Sequence, residues 1–329
     1  MKHQLILDEF IDKTSNRVLH CSALQGQQSY WCESSSKNSI QNYSPINHQH
    51  LTTIPPCNTL LLDQLIAHSN DSYKQWRTQP APIRGKLIKR IAALVETYQQ
   101  DLAHYITLET GKTLQESMGE VQEWIDMCDF AVGLSRQLHG LTISSERPMH
   151  HMRETWHPIG PVAVISAFNF PMAVWAWNAM IAAVCGDVMV WKPSSKAPLC
   201  AIACQNIWNE VAKENDLPDG ISCIINGDYK VGEMMTTDDR LPLISATGST
   251  RMGRIVGATV AERFGKSLLE LGGNNAVIIT PDADLKITII GALFGAVGTC
   301  GQRCTSTRRL IIHETIYEKV KSSLKEAYE

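Results

Sequence analysis

The sequence holds no apolar run of membrane-spanning length, no surplus of positive charge and no frame of paired cysteines. The first absence argues against a spanning helix. Lys and Arg number 30 against 33 Asp and Glu, a net charge of −3. Neither nucleic acid nor an anionic membrane is therefore expected as the main partner. The first ten residues carry Asp8 and Glu9 where a secretory leader would be apolar, so a cytoplasmic location is expected. Ten cysteines are scattered, which suits reduced thiols. Cys200/Cys204 and Cys300/Cys304 are four apart, but no His or Cys pair completes a zinc set, and no metal is expected. An internal repeat and the Gly-x-Gly-x-x-Gly dinucleotide fingerprint are also missing.

What is present is an ordinary globular composition, 44% hydrophobic and 19% charged over 329 residues, enough for a large core and two domains. Residues 1–57 are polar and read as an irregular lead-in. Apolar spacing predicts helices over 59–79, 83–110 and 112–138, broken by Pro80 and Pro82 and stopped by Gly111 and Gly140. Residues 141–155 alternate and predict a two-stranded ribbon. From Pro161 short apolar strands alternate with helices: strands at 162–166, 188–191, 221–225 and 243–246, helices at 171–185, 198–215 and 252–264. This alternation predicts an α/β fold with a doubly wound parallel sheet. Asn169, Lys192, Gly227 and Gly248 each follow a strand, at the edge where such sheets bind ligands. A second sheet begins at 277–280, and 310–313 is its next strand.

Four short segments carry chemistry. Cys304 sits on the Gly-flanked connection Gly298 to Ser306, where a thiol can be exposed near backbone N–H groups and act as a nucleophile. A single Cys is more often a small core hydrophobe. Glu270 precedes the turn Gly272-Gly273 and is either a general base or a capping carboxylate. Asn169, in Phe168-Asn169-Phe170-Pro171, is either a turn cap or an amide donor. Gly248-Ser249-Thr250 precedes a helix whose N–H groups can receive a pyrophosphate, with Gly227 and Gly232 at the preceding strand–helix turn. Cys300 reads as a packing residue.

With Trp191-Lys192-Pro193-Ser194 after its strand added to the Asn169, Glu270 and Cys304 segments, the chain reads in order Phe-Asn-Phe-Pro, Trp-Lys-Pro-Ser, Glu-Leu-Gly-Gly-Asn-Asn and Gly-Gln-Arg-Cys-Thr. Together they strongly resemble the aldehyde dehydrogenase superfamily, closest to its family 7, the antiquitin-like α-aminoadipic semialdehyde dehydrogenases. The runs starting at Gly119, Ala131 and Ser267 look like that branch, and the resemblance covers about Leu60 to Tyr328. It implies an aldehyde-dehydrogenase-like fold: an NAD(P)-binding domain over 58–270, with an oligomerisation hairpin at 141–158, then an incomplete catalytic domain over 271–329. It implies oxidation of a semialdehyde, in lysine catabolism, to its acid. Cys304 would form a thiohemiacetal and then a thioester, Glu270 would activate water, and Asn169 with the Cys304 N–H would bind the oxyanion. Lys192 would hold the adenosine ribose. Ser195 stands where the superfamily often has a Glu, so NAD is expected and NADP is not excluded. Gly248, Ser249, Gly227, Gly232 and Gly272 would border the cofactor, and Glu123 and Arg303 would recognise the amino-carboxylate end of the substrate. The family implies a homotetramer. Its later Glu-Ile-Phe-Gly-Pro type motif and remaining catalytic-domain strands have no counterpart in the sequence. That puts assembly in doubt for these residues, and it predicts an uncovered apolar face, with poor solubility or partial disorder after about Asn275. The alternative is a catalytically inactive remnant that binds dinucleotide or a full-length partner.

Overall fold

The computed structural model describes residues 23–26, 28–30, 32 and 39–329. The chain divides into two compact units: one runs to Thr247 and includes Arg251–Glu270, the other comprises Gly248–Thr250 with Leu271–Glu329.

The expected irregular lead-in contains strands. β1 (Ala23–Gln25) and β2 (Gln28–Tyr30) pair antiparallel. β3 (Ile40–Tyr43) and β4 (His50–Ile54) form a separate antiparallel hairpin. Three residues are too few to show a period, and tertiary contact makes β1 a strand. It adds antiparallel to the main sheet, and buried Gln25 donates to Ser69 Oγ at 3.2 Å and Leu65 O at 3.3 Å. The remainder of the lead-in up to Ser22 lies outside the described residues.

Helices follow. α1 (Thr59–Trp76) buries Leu61, Leu62, Leu65, Ile66 and Trp76, and Asn58 caps it by accepting from Leu61 N at 2.9 Å. The long helix expected over 83–110 is two, α2 (Ala81–Thr97) and α3 (Gln99–Thr110), broken where Tyr98 leaves helical ψ. Gly111, at φ 77°, ends α3 in the left-handed region. α4 (Leu114–Leu134) opens with a capping box between Thr113 and Glu116. β5 (Thr142–Ser144) and β6 (His151–Arg153) form the expected ribbon, exposed throughout.

The main sheet then assembles from β7 (Pro161–Ile165), β8 (Val188–Lys192), β9 (Ser222–Ile225), β10 (Leu243–Gly248) and β11 (Lys266–Leu271). Its seven strands run in the order β11-β10-β7-β8-β9-β1-β2, with β10, β7, β8 and β9 parallel. The connecting helices are α5 (Ala173–Cys185), α6 (Pro198–Glu214), α7 (Tyr229–Thr237) and α8 (Thr250–Glu262). Strands buried on both faces explain the continuous apolar runs of β7 and β8. At the centre of the larger core Trp175 stacks on Trp191, with centroids 4.9 Å apart, and meets Trp124 edge-on at 5.3 Å. Rings in these arrangements tie α4 and α5 to β8.

The second unit pairs β12 (Asn275–Ile279) with β13 (Thr307–Ile312) in parallel, alongside α9 (Leu285–Val297) and α10 (Tyr317–Tyr328). Ile287, Ile290, Phe294 and Val297 form one exposed stripe at helical spacing on α9, and Ile278 and Ile311 are exposed on the strands. These are uncovered apolar residues of the kind the sequence leads one to expect, but the partial disorder expected after about Asn275 is not found, since β12, α9, β13 and α10 are regular through Tyr328. Among the described residues no helix is long and apolar enough to cross a membrane.

Candidate active site

A parallel sheet turns every strand's carboxyl end to the same edge. β7, β8 and β9 run into Asn169, Lys192 and Gly227 there, and β10 ends at Gly248. Asn169 is half-buried. Its segment is anchored upstream by Ser166, whose N–H donates to Lys192 O at 3.2 Å and whose Oγ accepts from Trp191 Nε1 at 2.8 Å.

Lys192 is buried, and its ammonium donates to Pro193 O at 2.9 Å. Burial pushes its pKa down to about 8, opposed by the Asp228 carboxylate. Ser195 beyond it is exposed. Gly232 lies within α7 rather than in the turn before it, because the helix begins at Tyr229 under the cap of Asp228, which accepts from Lys230 N at 2.9 Å. A Cβ at Gly232 would stand 3.6 Å from Lys192 Cδ, so this glycine is packed along the lysine stem. At Gly227 a Cβ would enter Val231 at 2.3 Å, which requires glycine there. Ser249 is exposed just before α8, whose first turn holds no acidic residue. Glu123 is half-buried on α4. Glu270 is exposed on β11, a strand that leaves no apolar alternation in the sequence because it is exposed at nearly every position.

In the second unit Cys304 is exposed. The backbone before it is strained: Thr299, Cys300 and Gly301 all adopt positive φ, at 59°, 54° and 66°. The left-handed region is costly for a β-branched residue. Buried Thr299 is held there by Arg303, whose Nε donates to Thr299 Oγ1 at 2.7 Å. The Arg303 guanidinium also lies 5.7 Å from the Phe294 ring centroid. Ser306 closes the turn: Arg303 N donates to Ser306 Oγ at 3.1 Å and Ser306 N to Arg303 O at 3.2 Å. Asn275 then clamps it, its Nδ2 donating to Cys304 O at 2.7 Å and Ser306 O at 3.1 Å. Gly273 lies beneath, where a Cβ would meet Cys304 O at 3.2 Å, while Gly272 is exposed and open. Cys300 is exposed, not packed, since its left-handed backbone turns it out of the apolar run.

Cys57, Cys128, Cys200 and Cys204 are pushed up by burial, and Cys223 to about 12. They remain protonated near neutral pH and are inert. Within the second unit Asn275 joins the Cys304 turn, and within the first Asp228 bears on Lys192, only in three dimensions. The second Asn of Glu-Leu-Gly-Gly-Asn-Asn was the one available signal.

A parallel sheet whose edge is marked in this way defines the first unit as a nucleotide-sheet type of α/β domain, and the second unit carries an exposed thiol on a strained, clamped turn. The chain belongs to the aldehyde dehydrogenase family, whose model matches residues 31–329. Its similarity runs to family 7. It is 44% identical over 289 residues to a putative aldehyde dehydrogenase family 7 member A1 homolog of Caenorhabditis elegans, covering 88% of this chain and 54% of that one. It is 43% identical to the alpha-aminoadipic semialdehyde dehydrogenase of Bos taurus, with the same coverage. Among solved structures, betaine aldehyde dehydrogenase from Staphylococcus aureus in complex with NAD+ superposes with a TM-score of 0.87 at 28% identity, covering 97% of this chain and 63% of that one. An E. coli NADP dependent enzyme superposes with a TM-score of 0.86 at 28% identity, covering 95% and 64%. The chain spans about half the length of the curated relatives it matches.

Proposed function

We propose that this chain carries the chemistry of NAD(P)-dependent oxidation of an aldehyde to its carboxylic acid, with α-aminoadipic semialdehyde as the first substrate to test. The observation that carries the reading is the exposed Cys304 thiol on a turn held by Asn275, Ser306 and Thr299. Cys304 is the nucleophile. Its sulfur bonds to the aldehyde carbon, and the Asn169 amide and the Cys304 N–H receive the negative charge that develops on oxygen. Once that carbon has given up its hydride and a thioester is left on Cys304, Glu270, exposed on β11, takes a proton from the water that cleaves it.

The residues fit a dinucleotide. The donor set combines a buried ammonium at Lys192, the Ser195 hydroxyl and a helix N-terminus free of acidic side chains. Gly227, Gly232, Gly248, Ser249 and Gly272 border that group in this reading. When bound, the dinucleotide supplies the hydride acceptor. With Ser195 in place of a carboxylate, a 2′-phosphate meets no repulsion there, so both NAD and NADP belong in the test. Glu123 and Arg303 recognise the amino and carboxylate groups at the far end of the substrate. The exposed β5–β6 ribbon, with Leu141 and Ile143 open to solvent, is the contact to further copies in a homo-oligomer.

A second reading has its own observation. The exposed α9 stripe suits a polypeptide that binds dinucleotide without turning substrate over. Formation of reduced cofactor from α-aminoadipic semialdehyde, with NAD and NADP separately and beside Cys304→Ala, separates the two. Turnover that vanishes in the variant supports the enzyme. Dinucleotide binding without turnover supports the second reading.

A further inference from the structure

The helices that follow the Asn169 and Lys192 loops lack caps of their own. α5 is preceded by Met172 and α6 by Ala197, and neither side chain caps its helix. Both ends are closed from a distance by buried carboxylates. Glu109 of α3 accepts from Leu199 N at 2.9 Å and Cys200 N at 2.8 Å. Glu120 of α4 accepts through Oε1 from Met172 N at 2.8 Å and Ala173 N at 3.2 Å.

Glu120 is also paired. Its Oε2 accepts from Lys112 Nζ, and the two side chains are 0% and 1% exposed. A buried pair of this kind is seldom the most stable filling for its space, so its presence asks for a role beyond stability. Lys112 supplies a pointer, because its ammonium lies 3.9 Å from the centre of the Phe170 ring, within cation–π range. One oxygen of Glu120 therefore fixes the backbone at Met172 and Ala173. The other fixes the lysine that touches Phe170. With Ser166 anchored on β8 upstream, the segment 167–171 is held at both ends, and Asn169 lies inside it.

We propose that Glu120, which closes α5 from α4, is a positioning residue for Asn169. The proposal rests on the reading of Asn169 as an oxyanion donor. Such a donor contributes only if it is in place before charge develops, and a displacement of about 1 Å costs on the order of a hundredfold in rate. Closing α5 from α4 sets where the segment ends.

The test compares two double variants. Lys112→Met with Glu120→Gln removes both charges and keeps the acceptor. Lys112→Met with Glu120→Leu removes the acceptor as well. Amide hydrogen exchange is read at Met172 and Ala173, with Leu199 and Cys200, capped by Glu109, as the internal control. Turnover is read as kcat and as KM for dinucleotide. The Gln variant is expected to keep both readouts within about threefold of the parent. The Leu variant is expected to exchange Met172 and Ala173 about tenfold faster and to lose about tenfold or more in kcat, with KM for dinucleotide within about twofold. Leu199 and Cys200 are expected to be unchanged. The proposal is overturned if the Leu variant keeps its protection and kcat. It is also overturned if the Gln variant is as impaired as the Leu variant, or if Leu199 and Cys200 speed up equally. If the parent chain turns nothing over, the dehydrogenase reading fails, and the exchange comparison alone decides whether Glu120 holds the segment.

Discussion

Lys192→Met should make the protein more stable and bind dinucleotide less well. The lysine is buried at the end of β8 with a pKa near 8 rather than 10.5, chiefly because burial disfavours its charge. That gap corresponds to about 3 kcal/mol of cost for the charged form at pH 7. The hydrogen bond to Pro193 O offsets part of it, so the methionine variant should gain about 2 kcal/mol at pH 7. The pH dependence follows from linkage. Between about pH 8 and 10.5 the unfolded chain holds the proton that the folded chain has lost, so wild-type stability rises with pH across that window. The advantage of the variant should be full below pH 8 and should shrink toward pH 10.5, where it vanishes. Urea unfolding followed by tryptophan fluorescence reports this directly, since Trp191 adjoins the site and stacks on Trp175. Dinucleotide titration of the same samples should show about tenfold weaker binding, from the loss of one charged hydrogen-bond donor. A stability difference that stays constant from pH 7 to 10 would refute the buried charge as its source.

Further outcomes follow from other sites. Asn275→Asp turns a carboxylate toward the Cys304 and Ser306 carbonyls that Nδ2 now joins. The turn should loosen by about 1–3 kcal/mol, seen as faster tryptic cleavage after Arg303, and an unchanged rate would remove Asn275 from the clamp. Trp175→Ala empties the centre of the three-tryptophan stack and should cost about 3–5 kcal/mol in denaturant unfolding. Burial pushes the Glu109 carboxyl up to about 7 from 4.5. The folded chain therefore keeps a proton that the unfolded chain has released, and stability should fall as pH rises from about 4.5 to about 7. Glu109→Gln should flatten that part of the stability profile.

Periodicity was enough for the helices of the first unit and for the strand–helix alternation after Pro161, because an amphipathic stripe and a doubly buried strand each leave a local signature. β1 and β11 left none. β1 is three residues long and exists through β9, while β11 is exposed at most positions and owes its place to β10. The break at Tyr98 was invisible for a similar reason, since apolar spacing continues across it from α2 into α3.

For the candidate site, the sequence by itself determined which side chains could do chemistry. A Gly-flanked Cys304, Glu270 before its Gly-Gly turn, and Asn169 and Lys192 after apolar strands are local patterns. Only the tertiary structure decided how such residues are held. Asn275 reaches Cys304 O across 29 positions of sequence, Glu120 reaches Met172 N across 52, and Glu109 reaches Leu199 N across 90. A hydrogen bond between distant residues has no period and no spacing. It exists only where packing has removed water and left a backbone N–H or carbonyl with one partner within reach.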